Sequence, residues 1–137
     1  MRMINLIVLH CSATRSVSEY TPEQLERDHR ARGFSRAGYN YYVRRSGRVV
    51  AMRPLEMIPA HATGYNRNSI GVCYEGGLSG DGVPADTRTP EQREAILRLL
   101  QELLRRFPAC RVCGHRDLAV RACPCFDAGK EYANCKP

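Results

Sequence analysis

The sequence predicts a single-domain α/β fold in which one β-sheet is covered by helices. Three observations carry this. Met3 to Leu9 and Ser69 to Tyr74 are short, apolar, β-branched runs that read as buried strands. Thr-Pro-Glu-Gln occurs at 21–24 and again at 89–92, each time as a helix start. Strands and helices alternate along 137 residues, the length of one domain spanning 1–137.

The first strand candidate, MINLIVL, delivers His10, Cys11 and Ser12 to its C-terminal end, where open α/β sheets usually carry function. In the helix that follows, Thr21 caps, Pro22 suits the first position and Gln24 completes a capping box. It is expected to run to about Arg32 and to end at Gly33, with Leu25 inward and His29 in solvent among charges. Tyr39 to Arg45 and Arg48 to Arg53 form a hairpin signal around Ser46-Gly47, a two-residue turn candidate. Pro54 to Ala60 reads as a loop and His61 to Asn66 as a turn-rich approach to the second strand. Gly76 to Arg88, rich in Gly, Asp and Pro, is expected to be a surface loop. After Thr89, apolar residues from Ile96 to Leu104 recur at helical spacing and should pack on the sheet until Pro108. Arg111 to Cys113 is a short strand candidate that delivers His115, and Asp127 to Ala133 a short last helix.

The bulk composition is that of an ordinary globular protein, with 43% hydrophobic and 26% charged residues. No apolar run approaches the roughly 20 residues of a membrane-spanning helix. The opening segment is too short in its apolar part for a secretory signal, so synthesis in the cytoplasm is expected. A net charge of +7 favours an anionic partner or serves solubility alone. Scattered arginines, no Trp and little aromatic interleaving argue against specific nucleic-acid binding.

Five of the seven cysteines fall in the last 28 residues. Without a signal peptide, such crowding points to metal or chemistry more than to disulfides. His115 lies eight residues before Cys123, so both can reach one metal ion across a short loop. His10, at the end of its strand, is the best third donor, although a lone histidine there can also be packed or capping. Two His and one Cys leave a tetrahedral position open for water, the arrangement of catalytic zinc. A Cys11/His10 hydrolase pair is disfavoured, because neighbours along a strand point to opposite faces. Cys11 and Cys73 read as core. For Cys110, Cys113, Cys125 and Cys135 a disulfide, a second zinc and inert thiols all remain open.

Several motifs taken together resemble one family. They are HCSAT (His10 to Thr14), GYNYYV (Gly38 to Val43), RSGRV (Arg45 to Val49), HATGYNRNSIGVCYEGG (His61 to Gly77), TPEQ before a leucine-rich helix, GHRDL (Gly114 to Leu118) and ACPCFD (Ala122 to Asp127). In this order they resemble the zinc-dependent type-2 N-acetylmuramoyl-L-alanine amidases, which include phage lysozymes and the peptidoglycan recognition proteins. The resemblance implies a central, mainly mixed β-sheet flanked by helices, and Zn2+ held by His10, His115 and Cys123. It implies that Tyr39 stands beside the reacting water and that His61 and Asn66 line the substrate groove. It puts Arg121 at a basic catalytic position where the phage type has lysine. Arginine keeps a charge to aim at an oxyanion but cannot transfer a proton.

The implied reaction is hydrolysis of the amide between N-acetylmuramic acid and L-alanine in peptidoglycan, by a monomer reaching the wall after lysis or export in a phage or prophage setting. Glu75 is a possible base by position only. Readings from other classes are a muropeptide-binding module without catalysis and a polymerase-binding regulator. Cys123 favours the enzyme, since family members that lose catalysis typically lose this ligand.

Overall fold

The computed structural model describes residues 2–137. Its elements in chain order are β1 (Leu6–Cys11), β2 (Thr14–Arg15), α1 (Pro22–Ala31), β3 (Tyr41–Val43), β4 (Val49–Ala51), β5 (Ser69–Tyr74), β6 (Gly77–Leu78), α2 (Pro90–Arg106), β7 (Arg111–Gly114) and α3 (Ala128–Glu131). Five strands form a mixed sheet in the order β4-β3-β5-β1-β7. β1 runs parallel to both β5 and β7, β3 runs parallel to β5, and β4 closes the edge antiparallel to β3. β2 and β6 make a separate parallel pair at the end of the sheet.

The strand period of two sorts side chains onto the two faces. Ile7, Leu9, Ile70, Val72, Tyr74, Val43 and Val112 point to one face, where Ile96, Leu100, Leu103 and Leu104 of α2 cover them. Each fully buried Leu or Ile there contributes roughly 1.5–3 kcal/mol. On the opposite face Leu25 of α1 packs with Ala37, Tyr42 and Cys73, and Leu6, Val8 and Cys113 form a smaller cluster. Every residue of β1 and β5 is buried, as central strands covered on both faces require. Both helices begin as their sequences predict: Thr21 and Thr89 accept from the backbone N–H of Gln24 and Gln92, whose side chains return the bond. Among the described residues no helix is long and apolar enough to cross a membrane.

Several expectations need correction. The β3–β4 connection is a three-residue loop, Arg45-Ser46-Gly47. The Gly47 N–H donates to the Arg44 carbonyl and the Arg44 N–H to the Arg48 carbonyl, each at 2.8 Å, with Gly47 at φ +92°. This is a turn followed by a left-handed residue, the usual three-residue hairpin. The 76–88 segment is not all surface, because it contains β6 and ends on Arg88, whose side chain is fully buried. Arg88 pairs with Asp86 at 2.9 Å and Glu131 at 2.8 Å, and stacks 3.4 Å above the Phe126 ring. His29 is buried and not solvated, its Nδ1 accepting from the Gly38 N–H at 2.8 Å. The signal was present: His29 lies four residues after Leu25, on the same helical face.

Candidate active site

The site begins with strand register. β1 and β7 are parallel neighbours with Leu9 opposite Gly114. The next residue along each chain is a histidine, so His10 and His115 emerge side by side at the C-terminal end of the sheet, ring centroids 4.6 Å apart. The loop after His115 folds back to bring in Cys123. The Arg116 N–H donates to the Cys123 carbonyl at 2.8 Å, and the Tyr74 hydroxyl donates to the Pro124 carbonyl at 2.7 Å. Gly114 permits this approach, since a Cβ there would lie 2.8 Å from Pro124 Cδ. The Cys11 N–H donates to Cys123 Sγ at 3.2 Å.

One ligand atom from each of His10, His115 and Cys123 lies within 4.8 Å of the other two. His10 Nδ1 and Cys123 Sγ are 3.8 Å apart. Ligand atoms around a tetrahedral zinc are separated by about 3.3–3.8 Å, given its bond lengths to nitrogen and sulfur. The donor set and its spacing therefore fit one zinc-sized ion. His10 is 1% exposed, and burial first, then His61 and His115, push its pKa well below the ordinary value. Burial and then Arg121 lower that of His115. Both rings are held neutral near pH 7, the state in which imidazole binds metal.

All seven predicted site residues line one groove of roughly 510 Å³. The Tyr39 ring lies 4.9 Å from the His10 ring. Burial, then the thiols of Cys73, Cys123 and Cys11, raise its pKa well above the ordinary phenol value, so its hydroxyl keeps a proton to donate. Arg121 is exposed on the rim and forms no ion pair among the described residues. The two nearby acids are otherwise engaged: Asp127 faces Arg116 at 3.7 Å, and Asp117 accepts from the Gly114 N–H at 2.8 Å.

The remaining predicted residues are tied into the protein. Asn66 Oδ1 accepts from the backbone N–H of His61 at 3.0 Å and of Ala62 at 2.9 Å, shaping the loop that carries His61. His61 Nδ1 lies 2.7 Å from His10 Nε2, and its Nε2 lies 2.9 Å from Ser69 Oγ. Both ring nitrogens are thus taken up. Glu75 is outside the groove, accepting from Arg44 Nε at 2.8 Å and from the backbone N–H of Tyr20 at 2.7 Å and Arg45 at 3.0 Å. It is an anion that ties loops together, not a base. The groove also has walls that sequence reasoning missed, His29, Arg32 and Phe34. All seven cysteines are free thiols, with Cys11 Sγ 3.9 Å from Cys125 Sγ.

Residues 1–126 match the family described as N-acetylmuramoyl-L-alanine amidase (Amidase_2). The chain belongs to this amidase family. The endolysin of Klebsiella phage KP32 is 36% identical to the amidase over 121 residues, covering 88% of this chain and 80% of the endolysin. The endolysin of Escherichia phage T7 matches with the same identity and coverage. Among solved structures, the N-acetylmuramoyl-L-alanine amidase LysC from Clostridium intestinale superposes with a TM-score of 0.80 at 26% identity, covering 93% of this chain and 80% of LysC. The amidase is accordingly an enzyme of peptidoglycan, hydrolysing the amide bond between N-acetylmuramic acid and L-alanine. The mixed sheet flanked by helices is the fold of these neighbours.

Proposed function

We propose that the amidase is a zinc hydrolase in which His10, His115 and Cys123 hold the metal, while Tyr39 and Arg121 act on the reacting amide. The observation that carries this is the convergence of two neutral imidazoles and one thiol in the groove, their ligand atoms within 4.8 Å of one another and His10 Nδ1 3.8 Å from Cys123 Sγ. Zinc bound there supplies a Lewis acid that polarises a carbonyl and makes water acidic enough to attack near neutral pH. The chain supplies the rest. The Cys11 N–H eases the charge on the Cys123 sulfur. Tyr39, held protonated, donates a hydrogen bond to oxygen at the reacting centre. Among the described residues Arg121 has no acid paired with it, and it offers its charge to the oxyanion that develops on the carbonyl. Proton transfer is not assigned to Arg121, because its guanidinium does not deprotonate.

The biological setting that fits is endolysin-like digestion of the cell wall by a monomer. Peptidoglycan is anionic, and a net charge of +7 favours its approach. Metal analysis of the purified protein, combined with digestion of defined muropeptides, tests the reading. One zinc per chain is expected. Activity should be lost on chelation and restored by zinc, with new free amino groups on alanine and no new reducing sugar ends. Full activity in protein stripped of metal would overturn the zinc assignment, and new reducing ends alone would overturn the reaction.

A further inference from the structure

We propose that His61 is a positioning residue: the hydrogen-bonded chain Ser69–His61–His10 determines which nitrogen of His10 is free to bind the metal. The inference rests on the zinc reading above and deepens it. A neutral imidazole has one N–H and one lone pair. His10 Nδ1 is the nitrogen 3.8 Å from Cys123 Sγ, and His10 Nε2 is the nitrogen 2.7 Å from His61 Nδ1. If Nδ1 gives its lone pair to the metal, Nε2 must carry the proton and donate it to His61. His61 Nδ1 is then the acceptor, and the His61 proton resides on Nε2, 2.9 Å from Ser69 Oγ. The reverse assignment, with His61 Nδ1–H donating to His10 Nε2, leaves the His10 proton on Nδ1 and blocks the ligand position. One direction along the chain permits metal binding, and the other forbids it.

The surroundings of His61 hold it to this task. Gly71 on β5 lies beneath the ring, where a Cβ would be 2.8 Å from His61 Cγ and 3.0 Å from Nδ1 and Cδ2. The ring occupies the space that a side chain on this central strand would fill. From the loop side, Asn66 takes up the backbone N–H groups of His61 and Ala62. Ser69, fully buried, meets the far nitrogen. A residue with both nitrogens committed has no free polar atom for substrate; its effect on the reaction passes through His10. Metal-bound histidines elsewhere are oriented by such partners, whose loss typically weakens metal binding 10- to 100-fold.

The test compares zinc affinity, by chelator competition on apo-protein, in the wild type, His61→Ala and His61→Asn. The asparagine carbonyl oxygen can stand where His61 Nδ1 accepts. His61→Ala should bind zinc about 10- to 100-fold more weakly, while His61→Asn should stay close to the wild type. A ring-nitrogen NMR spectrum of the zinc-loaded wild type, which requires no variant to fold, should find His10 bound through Nδ1 with its proton on Nε2. The proposal is overturned by binding through Nε2, by wild-type affinity in His61→Ala, or by an equal loss in both variants, which would indicate ring packing. In each of those cases the wild type still binds zinc and the zinc reading survives. A wild type that takes up no zinc overturns both.

Discussion

Tyr39 and Arg121 meet at one groove from opposite environments. Tyr39 is held by burial and neighbouring sulfurs in its protonated form, whereas Arg121 stands exposed at the rim, without an ion-pair partner among the described residues. Their removal should therefore differ in kind. Tyr39→Phe keeps the ring and deletes one donor. It should leave fold and metal content intact and lower kcat about 10- to 1000-fold, the range for losing one transition-state hydrogen bond. Steady-state kinetics at equal zinc occupancy measure this, and a wild-type rate would return Tyr39 to a packing role. Arg121→Ala should lower kcat far more than it raises KM, because the oxyanion exists only along the reaction path. Arg121→Lys should recover most of the rate, since a compact ammonium keeps the charge. If Arg121 only decorated the surface, its loss would leave turnover unchanged.

At the scale of elements, the parts legible in the sequence were those whose signals are local. β1 and β5 announced themselves as apolar β-branched runs, and the two Thr-Pro-Glu-Gln starts became capping boxes on α1 and α2. His10 and His115 were legible because His10 ends the apolar run of β1 and His115 directly follows β7, and Cys123 because a short loop ties it to His115. What stayed hidden depends on contacts distant in sequence. β2 and β6 are two-residue strands without a periodic pattern, and the His10–His61 contact spans 51 positions. Arg88 in a Gly- and Asp-rich segment has no local reason to be buried; its partner Glu131 lies 43 positions away. The junction of β7 with the Cys123 loop gives an element-scale prediction. In Gly114→Ala the added Cβ would meet the constrained Pro124 ring at 2.8 Å. The loop must yield, at about 1–3 kcal/mol in overpacking, and Cys123 moves with it. Denaturant unfolding should register the loss of stability, and chelator competition should register weaker zinc binding. Wild-type values in both would mean that the loop absorbs a methyl group freely.

Across the whole molecule, Glu75 joins more of the fold than any site residue. Just beyond β5, its carboxylate holds Arg44 and the Arg45 N–H of the β3–β4 hairpin and the Tyr20 N–H before α1. Its backbone carbonyl accepts from Gln92 Nε2 at the start of α2. The side chain is 1% exposed. Burial alone would raise its pKa, but the Arg44 guanidinium and the amides of Tyr20 and Arg45 outweigh it, and the net shift is downward. The folded state therefore binds this proton less readily than the unfolded chain, where a glutamate titrates near about 4.3. The resulting stability is fully present above that value and is lost as pH falls through the folded pKa. Asp86 and Glu131 beside Arg88 are also shifted downward and add to the same acid-side loss. Glu75→Gln removes the charge at every pH while keeping an acceptor of similar shape. Breaking one side of a buried, hydrogen-bonded ion pair costs about 3–5 kcal/mol. Arg44 is 17% exposed, so the lower end of that range is expected here. Urea unfolding at pH 7 should show this deficit, and the two proteins should converge as pH falls below the ordinary glutamate value and through the lower folded one, where the wild-type carboxylate also takes up its proton. A deficit that persisted unchanged into acid would mean that Glu75 stabilises the fold by its shape and not by its charge.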